Sequence, residues 1–174
     1  AYATSLCVSR DAPKKSEEIR QLWRKVLPVW RAPRYTPTAM TTTVFIDGEA
    51  GTTGLQIHER LAPRADVSLI HLGDGSRKDA AARREALNDA DVAILCLPDD
   101  AAQESVSLID SDTVVIDAST AHRAVDGWVY GFPEYDKGHR DAMRASSRIS
   151  NPGCYALTAV AMIHPLVAGG LVSA

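Results

Sequence analysis

A glycine-spaced turn between a short apolar strand and a helix constrains this chain more than any other feature. Val44-Phe45-Ile46 is brief, apolar and β-rich, the pattern of a buried strand. It runs straight into Asp47-Gly48-Glu49-Ala50-Gly51-Thr52-Thr53-Gly54, and residues 55–61 continue with helical periodicity. Glycines at three-residue spacing let the chain turn sharply, bring a pyrophosphate close to the backbone, and let helix pack on strand. Thr52 and Thr53 add hydroxyl donors beside a helix N-terminus, which is an anion site. Three glycines alone are a weak signal. The strand before and the helix after turn them into a dinucleotide-binding loop, with Gly48, Gly51, Thr52, Thr53 and Gly54 as its contact residues.

Alternation then repeats. Strands are expected over residues 67–72, 92–97 and 113–117, with helices over 79–87 and 101–109 between them. Strands alternating with helices predict a Rossmann-like, doubly wound α/β fold with a parallel sheet, whose ligands sit at the carboxyl ends of the strands. The loops at those ends carry the readable chemistry. After the second strand, an acidic residue suits the ribose 2′-hydroxyl of NAD, whereas an Arg suits a 2′-phosphate. Ser76, Arg77 and Lys78 therefore point to NADP, and Asp74 leaves NAD open. After the third strand, Leu97 and Pro98 are expected to offer backbone contacts to the cofactor, and Cys96 to be buried and inert. After the fourth come Ser119 and Arg123; a guanidinium there suits bidentate recognition of a phosphate or carboxylate. His122 beside it is expected to satisfy a local hydrogen bond.

Residues 128–134 form a short strand ending in a turn, 136–145 a polar helix, and 147–150 a last strand. That strand delivers Ser150-Asn151-Pro152-Gly153-Cys154-Tyr155, ahead of a long apolar helix over 156–167 that Gly169-Gly170 stops. Pro152 and Gly153 force a turn, so Cys154 falls at or just before the first helical residue. Free N–H groups and the dipole at a helix start favour a thiolate, so Cys154 is the candidate nucleophile.

Composition excludes several classes. The 174 residues are 45% hydrophobic and 24% charged, with a formal net charge of −3, which offers no basic field for nucleic acid. No apolar run reaches the roughly 18 residues of a membrane span. Cys7, Cys96 and Cys154 are scattered and odd in number, with no CxxC pair and no metal-ligand spacing. A reducing compartment, no disulfide framework and no metal follow as expectations. Residues 1–39 carry 8 Lys/Arg against 3 Asp/Glu, whereas residues 40–174 carry 11 against 19. The shift predicts a basic extension outside the core fold, with an amphipathic helix over 16–29 presenting Leu22 and Trp23, a Pro33/Pro37 linker, and a domain over 40–174.

These segments, in this order, resemble one family. The run Phe45-Ile46-Asp47-Gly48-Glu49-Ala50-Gly51-Thr52-Thr53-Gly54, Leu97-Pro98, Ser119 with Arg123, Tyr130-Gly131-Phe132-Pro133-Glu134 and the Ser150–Tyr155 segment look like N-acetyl-gamma-glutamyl-phosphate reductase of the shorter bacterial type. The resemblance spans residues 41–174, and the cysteine and Tyr-Gly-Phe-Pro-Glu segments are its specific elements. It implies a cytoplasmic enzyme of arginine biosynthesis, homo-oligomeric at full length. Such an enzyme reduces N-acetylglutamyl 5-phosphate to the 5-semialdehyde with NADPH. Cys154 would form the thioester, its backbone N–H and Asn151 would hold the oxyanion, and Arg123 would bind a substrate anion. In that family the catalytic histidine comes from a second α/β domain, so the resemblance implies a cofactor-binding portion with its nucleophile, inactive alone. Aspartate-semialdehyde dehydrogenase and glyceraldehyde-3-phosphate dehydrogenase share the architecture and the thioester chemistry with different cysteine motifs. A nucleotide-binding module with a redox-sensing Cys154 is the non-enzymatic alternative.

Overall fold

A computed structural model describes residues 41–172. The expected helix over 16–29, the boundary at Met40 and Cys7 lie outside the described residues. Within them the chain alternates as its periodicity predicts. The elements are β1 (Thr42–Asp47), α1 (Thr52–Leu61), β2 (Val67–Ile70), α2 (Ala80–Asp89), β3 (Val92–Leu95), α3 (Asp99–Ser107) and β4 (Val114–Asp117). They continue with β5 (Val129–Tyr130), α4 (His139–Ala145), β6 (Arg148–Ser150) and α5 (Cys154–Ala168). The six strands form one sheet in the order β2-β1-β3-β4-β6-β5, and every pairing is parallel. The doubly wound α/β fold is therefore what the chain adopts.

Boundaries move where a local hydrogen bond competes with the periodic pattern. The helix expected from residue 136 starts at His139, because the Asp136 side chain accepts from Gly138 N–H at 2.9 Å and holds those residues in a turn. The helix expected over 101–109 starts earlier, at Asp99. Pro98 occupies its N-cap in an extended conformation, and Asp99 and Asp100 complement the dipole of its first turn.

The core lies where the face of α2 meets the sheet. Arg83, Ala86 and Leu87 are the buried residues of α2, at helical spacing, and Ala86 and Leu87 pack with Phe45, Ala93, Leu95, Ala102 and Val115. Arg83 is the unexpected member of that stripe. Its Nη2 donates to Asp47 Oδ2 at 3.0 Å and to Ser105 Oγ at 2.6 Å, and Ser105 Oγ in turn donates to Asp47 Oδ2 at 2.8 Å. Nη1 reaches Glu104 at 3.4 Å. A carboxylate at 4% exposure is tolerable only with such partners. The network ties the end of β1, from which the glycine loop departs, to α2 and α3.

Removing the cation strands Asp47 in the interior. Arg83→Ala is expected to cost about 3–5 kcal/mol of unfolding free energy, read from urea denaturation. A loss below about 1 kcal/mol would show that the pair behaves as a surface salt bridge.

Candidate active site

Register across the sheet lines up the strand ends that matter. Asp47 pairs with Leu95, Leu95 with Asp117, Asp117 with Ser150, and Ser150 with Tyr130, one row along the carboxyl edge. The loops leaving that row build two neighbouring features.

The first is a cleft of about 580 Å³ at the point where strand order reverses, between β1 and β3. Its lining includes Asp47, Gly48, Glu49, Leu72, Asp74, Arg77, Lys78, Arg83, Leu97 and Glu104. The glycine loop is a backbone cradle that side chains would fill. Gly48 has φ +90°, and a Cβ there would lie 2.4 Å from the Cys96 carbonyl oxygen; a Cβ on Gly54 would lie 2.3 Å from the Gly48 oxygen. Gly51 is the N-cap of α1, Thr52 and Thr53 are its first residues, and Gly51 N–H donates to Gly48 O at 3.0 Å. The first turn of α1 follows closely after Gly48, Glu49 and Ala50, which line the cleft, while residues 51–54 do not line it; the first N–H groups of a helix suit an anion such as a pyrophosphate. Arg77 is held by an ion pair with Asp74. Ser76 N–H donates to Gly73 O at 2.9 Å, which shapes the loop that carries Arg77 and Lys78. Leu97 lines the cleft and Pro98 caps α3.

The second feature surrounds Cys154. The cysteine is exposed and is the first residue of the 15-residue helix α5, with Gly153 as its extended N-cap. Arg123 lies against this turn: its Nη1 would be 2.6 Å from a Cβ on Gly153, its Nε donates to Asn151 O at 3.2 Å, and its Nη2 to Ala118 O at 3.3 Å. A side chain at 153 would displace the guanidinium from this seat. Asn151 is exposed, and its backbone N–H donates to Asp117 O at 2.7 Å. Ser119 is buried, with its N–H and hydroxyl both given to the Asp117 carboxylate at 2.9 and 2.6 Å. His122 Nδ1 lies 2.7 Å from the same carboxylate, and its ring stacks on Trp128 at 4.1 Å. His122 thus satisfies a local hydrogen bond, as expected.

Each of the five histidines is engaged away from Cys154. His58 and His71 face Glu49, His139 Nε2 meets Tyr130 O at 2.5 Å, and the His164 ring packs on Tyr135 at 4.3 Å. Cys96 is half-buried at the end of β3, less enclosed than the sequence pattern implies. Burial, with Asp117 and Asp47 nearby, pushes its thiol up to about 11.

Sequence reasoning missed the Asp47–Arg83–Ser105 network, of which Asp47 and Arg83 line the cleft, and the role of Asp117. The signals were present: an Arg on the apolar stripe of α2, and aspartates closing two of the strands.

Residues 43–143 match the family model described as semialdehyde dehydrogenase, NAD binding domain. The chain belongs to that family. Its domain is a nicotinamide-dinucleotide-binding one, in agreement with the cradle at Gly48 and Gly54. Among curated proteins it is similar to N-acetyl-gamma-glutamyl-phosphate reductase of Chelativorans sp., at 57% identity over 136 residues, covering 78% of this chain and 44% of the relative. It is also similar to N-acetyl-gamma-glutamyl-phosphate reductase 2 of Pseudomonas putida, at 56% identity over 135 residues, covering 77% and 43%. The chain spans less than half the length of these curated relatives. Among solved structures, aspartate semialdehyde dehydrogenase from Francisella tularensis superposes with TM-score 0.51 at 13% identity, covering 65% of this chain and 36% of that one. That likeness concerns the fold alone.

Exposure and the helix start make Cys154 the faster thiol of the two described, so alkylation by iodoacetamide at neutral pH is expected to label Cys154 well ahead of Cys96. Because the folded thiol of Cys96 titrates near 11, against an unperturbed value of 9.0, the unfolded chain releases its proton first as pH rises. Cys96 therefore leaves stability unchanged below about 9 and lowers it between about 9 and 11. Peptide mapping and pH-dependent denaturation of Cys96→Ala check both. Labelling of Cys96 first, or an alkaline loss that persists unchanged in Cys96→Ala, would contradict the assignment.

Proposed function

We propose that the whole protein reduces N-acetylglutamyl 5-phosphate to N-acetylglutamate 5-semialdehyde with NADPH, and that this chain supplies the cofactor cleft and the nucleophile. The observation that carries this reading is Cys154, exposed at the first residue of α5, with the Arg123 guanidinium packed against the preceding glycine. The names of the relatives supply the substrate.

The geometry suits acyl transfer. Two donors of Arg123 are spent on the Asn151 and Ala118 carbonyls, which fixes the guanidinium and leaves its other N–H groups for a substrate carboxylate or phosphate. The Cys154 thiolate attacks the acyl carbon. Negative charge that builds on the carbonyl oxygen is met by the first N–H of α5 and the Asn151 amide. The C–O bond to the phosphate then breaks, the phosphate leaves and takes up a proton, and a thioester to Cys154 remains. The nicotinamide cofactor, when bound, supplies a hydride to the thioester carbon. Cys154 departs as thiolate when its C–S bond breaks, which frees the aldehyde. The resemblance assigns the acid–base histidine to a region of the reductase outside this chain, which agrees with the engagement of all five histidines here.

Arg77 and Lys78 on the cleft wall favour NADP over NAD through the 2′-phosphate. Gly48, Gly51, Thr52, Thr53 and Gly54 hold the pyrophosphate, while Ser76, Leu97, Pro98 and Ser119 shape the adjoining loops. No helix among the described residues is long and apolar enough to cross a membrane. A role in arginine biosynthesis fits the cytoplasm. A homo-oligomer of the whole protein would bury some of the apolar side chains exposed on α5, among them Tyr155, Met162 and Ile163.

Two measurements test the reading. Turnover of N-acetylglutamyl phosphate by the whole protein is expected to fall on the order of 10³-fold or more in Cys154→Ser; faster turnover of aspartyl phosphate would assign the chain to another substrate. NADPH is expected to bind more tightly than NADH, and Arg77→Ala to lose about 1.5–3 kcal/mol of that preference. Asp74→Ala, which releases Arg77, is expected to strengthen it. Equal affinities in the wild type would overturn the NADP assignment.

A further inference from the structure

Outside the nucleophile cluster, three side chains from three elements converge. Glu49 stands in the turn between β1 and α1, His58 on α1, and His71 directly after β2. Their ligating atoms all lie within 4.8 Å of one another. His71 Nδ1 is 3.1 Å from Glu49 Oε1 and 3.2 Å from Oε2, and His58 Nε2 is 3.5 Å from Oε1. The two imidazole rings meet edge to face, with centroids 5.0 Å apart and planes at 65°.

These separations have a chemical meaning. Nitrogen and oxygen ligands held about 2.0–2.2 Å from a tetrahedral zinc ion stand roughly 3.3–3.5 Å from one another. The Glu49–His71 and Glu49–His58 contacts of 3.1 and 3.5 Å fall close to that spacing, in a set whose ligating atoms all lie within 4.8 Å of one another. The Glu49 and His58 side chains are only 22% and 27% exposed, so the carboxylate is partly withdrawn from water with two imidazoles aimed at it. Two imidazole nitrogens with one carboxylate oxygen form a donor set for a borderline ion such as Zn²⁺; Mg²⁺ and Ca²⁺ prefer oxygen alone.

We propose that Glu49, His58 and His71 form a three-ligand site for a divalent transition-metal ion of the zinc class, with a fourth position open to water. Sequence spacing does not reveal it, because the ligands are nine and thirteen residues apart and meet only through the β1–α1–β2 packing. The ion would pin the glycine loop to α1 and to the end of β2. The proposal stands on these side chains and not on the reaction proposed above, although Glu49 also lines the cleft.

The test uses the full chain and Zn²⁺ alone. Calorimetry is expected to show one ion bound through this site and a thermal midpoint that rises with Zn²⁺. Glu49→Gln, His58→Asn and His71→Asn should each weaken binding by at least about tenfold and abolish the rise, with circular dichroism confirming that each variant is folded. Co²⁺ in place of Zn²⁺ should give d–d bands without a thiolate charge-transfer band, and Cys154→Ser should bind as the wild type does. No saturable binding, affinity unchanged in the three ligand variants, or binding lost in Cys154→Ser would overturn the proposal. In the first two cases the cluster is a polar contact of Glu49 with the two imidazoles that holds no metal; in the third the metal ligand is the thiolate.

Discussion

The fully buried carboxylate of Asp117 is the interaction on which the arrangement around Cys154 depends. An unpartnered charge at that depth would be untenable, so its surroundings are dictated by its need for donors. It takes the N–H and hydroxyl of Ser119, and His122 Nδ1 faces it as a donor because a carboxylate only accepts. The loop after β4 is thereby folded back on itself and clamped further by the stack of His122 on Trp128. Arg123 follows directly in the chain. On the other side, the backbone oxygen of Asp117 receives Asn151 N–H, which fixes the start of the turn that presents Cys154. One residue thus ties both the loop that carries Arg123 and the turn that carries Cys154 to β4.

Asp47 has the corresponding role on β1, with β3 between it and Asp117. The Arg83 guanidinium pairs with it and the Ser105 hydroxyl donates to it, while Gly48, next in the chain, takes a backbone conformation that a side chain would strain. These contacts tie the cleft wall at the end of β1 to α2 and α3. Both aspartates lie in the same register row along the carboxyl edge, separated by Leu95. The cleft after β1 and the turn that carries Cys154 therefore leave the same carboxyl edge of the sheet, and the reaction proposed above depends on their spacing.

Much of this is legible in the residues. Val44-Phe45-Ile46 and the glycines after it announce the strand, the turn and the helix, because each depends on local backbone chemistry. Pro152-Gly153 announces the start of α5 for the same reason, and Cys154 is indeed its first residue. Arg123 is recognisable as a cation at a strand end, but its seat against Gly153 is not, since it depends on β4 and β6 being neighbours. The Asp47–Arg83–Ser105 network and the Glu49–His58–His71 cluster escape for one shared reason. Their members are 9 to 58 residues apart and meet through tertiary packing, which periodicity does not encode. Helix α4 starts later than its periodicity suggests because a single Asp136 side-chain hydrogen bond outweighs that periodicity in a short polar segment.

The central claim is that Cys154 accepts the acyl group through its own position at the head of α5, before any reduction takes place. The most direct measurement is the intact mass of the protein after mixing with N-acetylglutamyl phosphate in the absence of cofactor. The account predicts a single N-acetylglutamyl adduct that maps to Cys154, is cleaved by hydroxylamine as a thioester should be, and is missing from Cys154→Ser. An adduct on Cys96 or Cys7 instead, or an unmodified Cys154 under conditions where phosphate is released enzymatically, would contradict it.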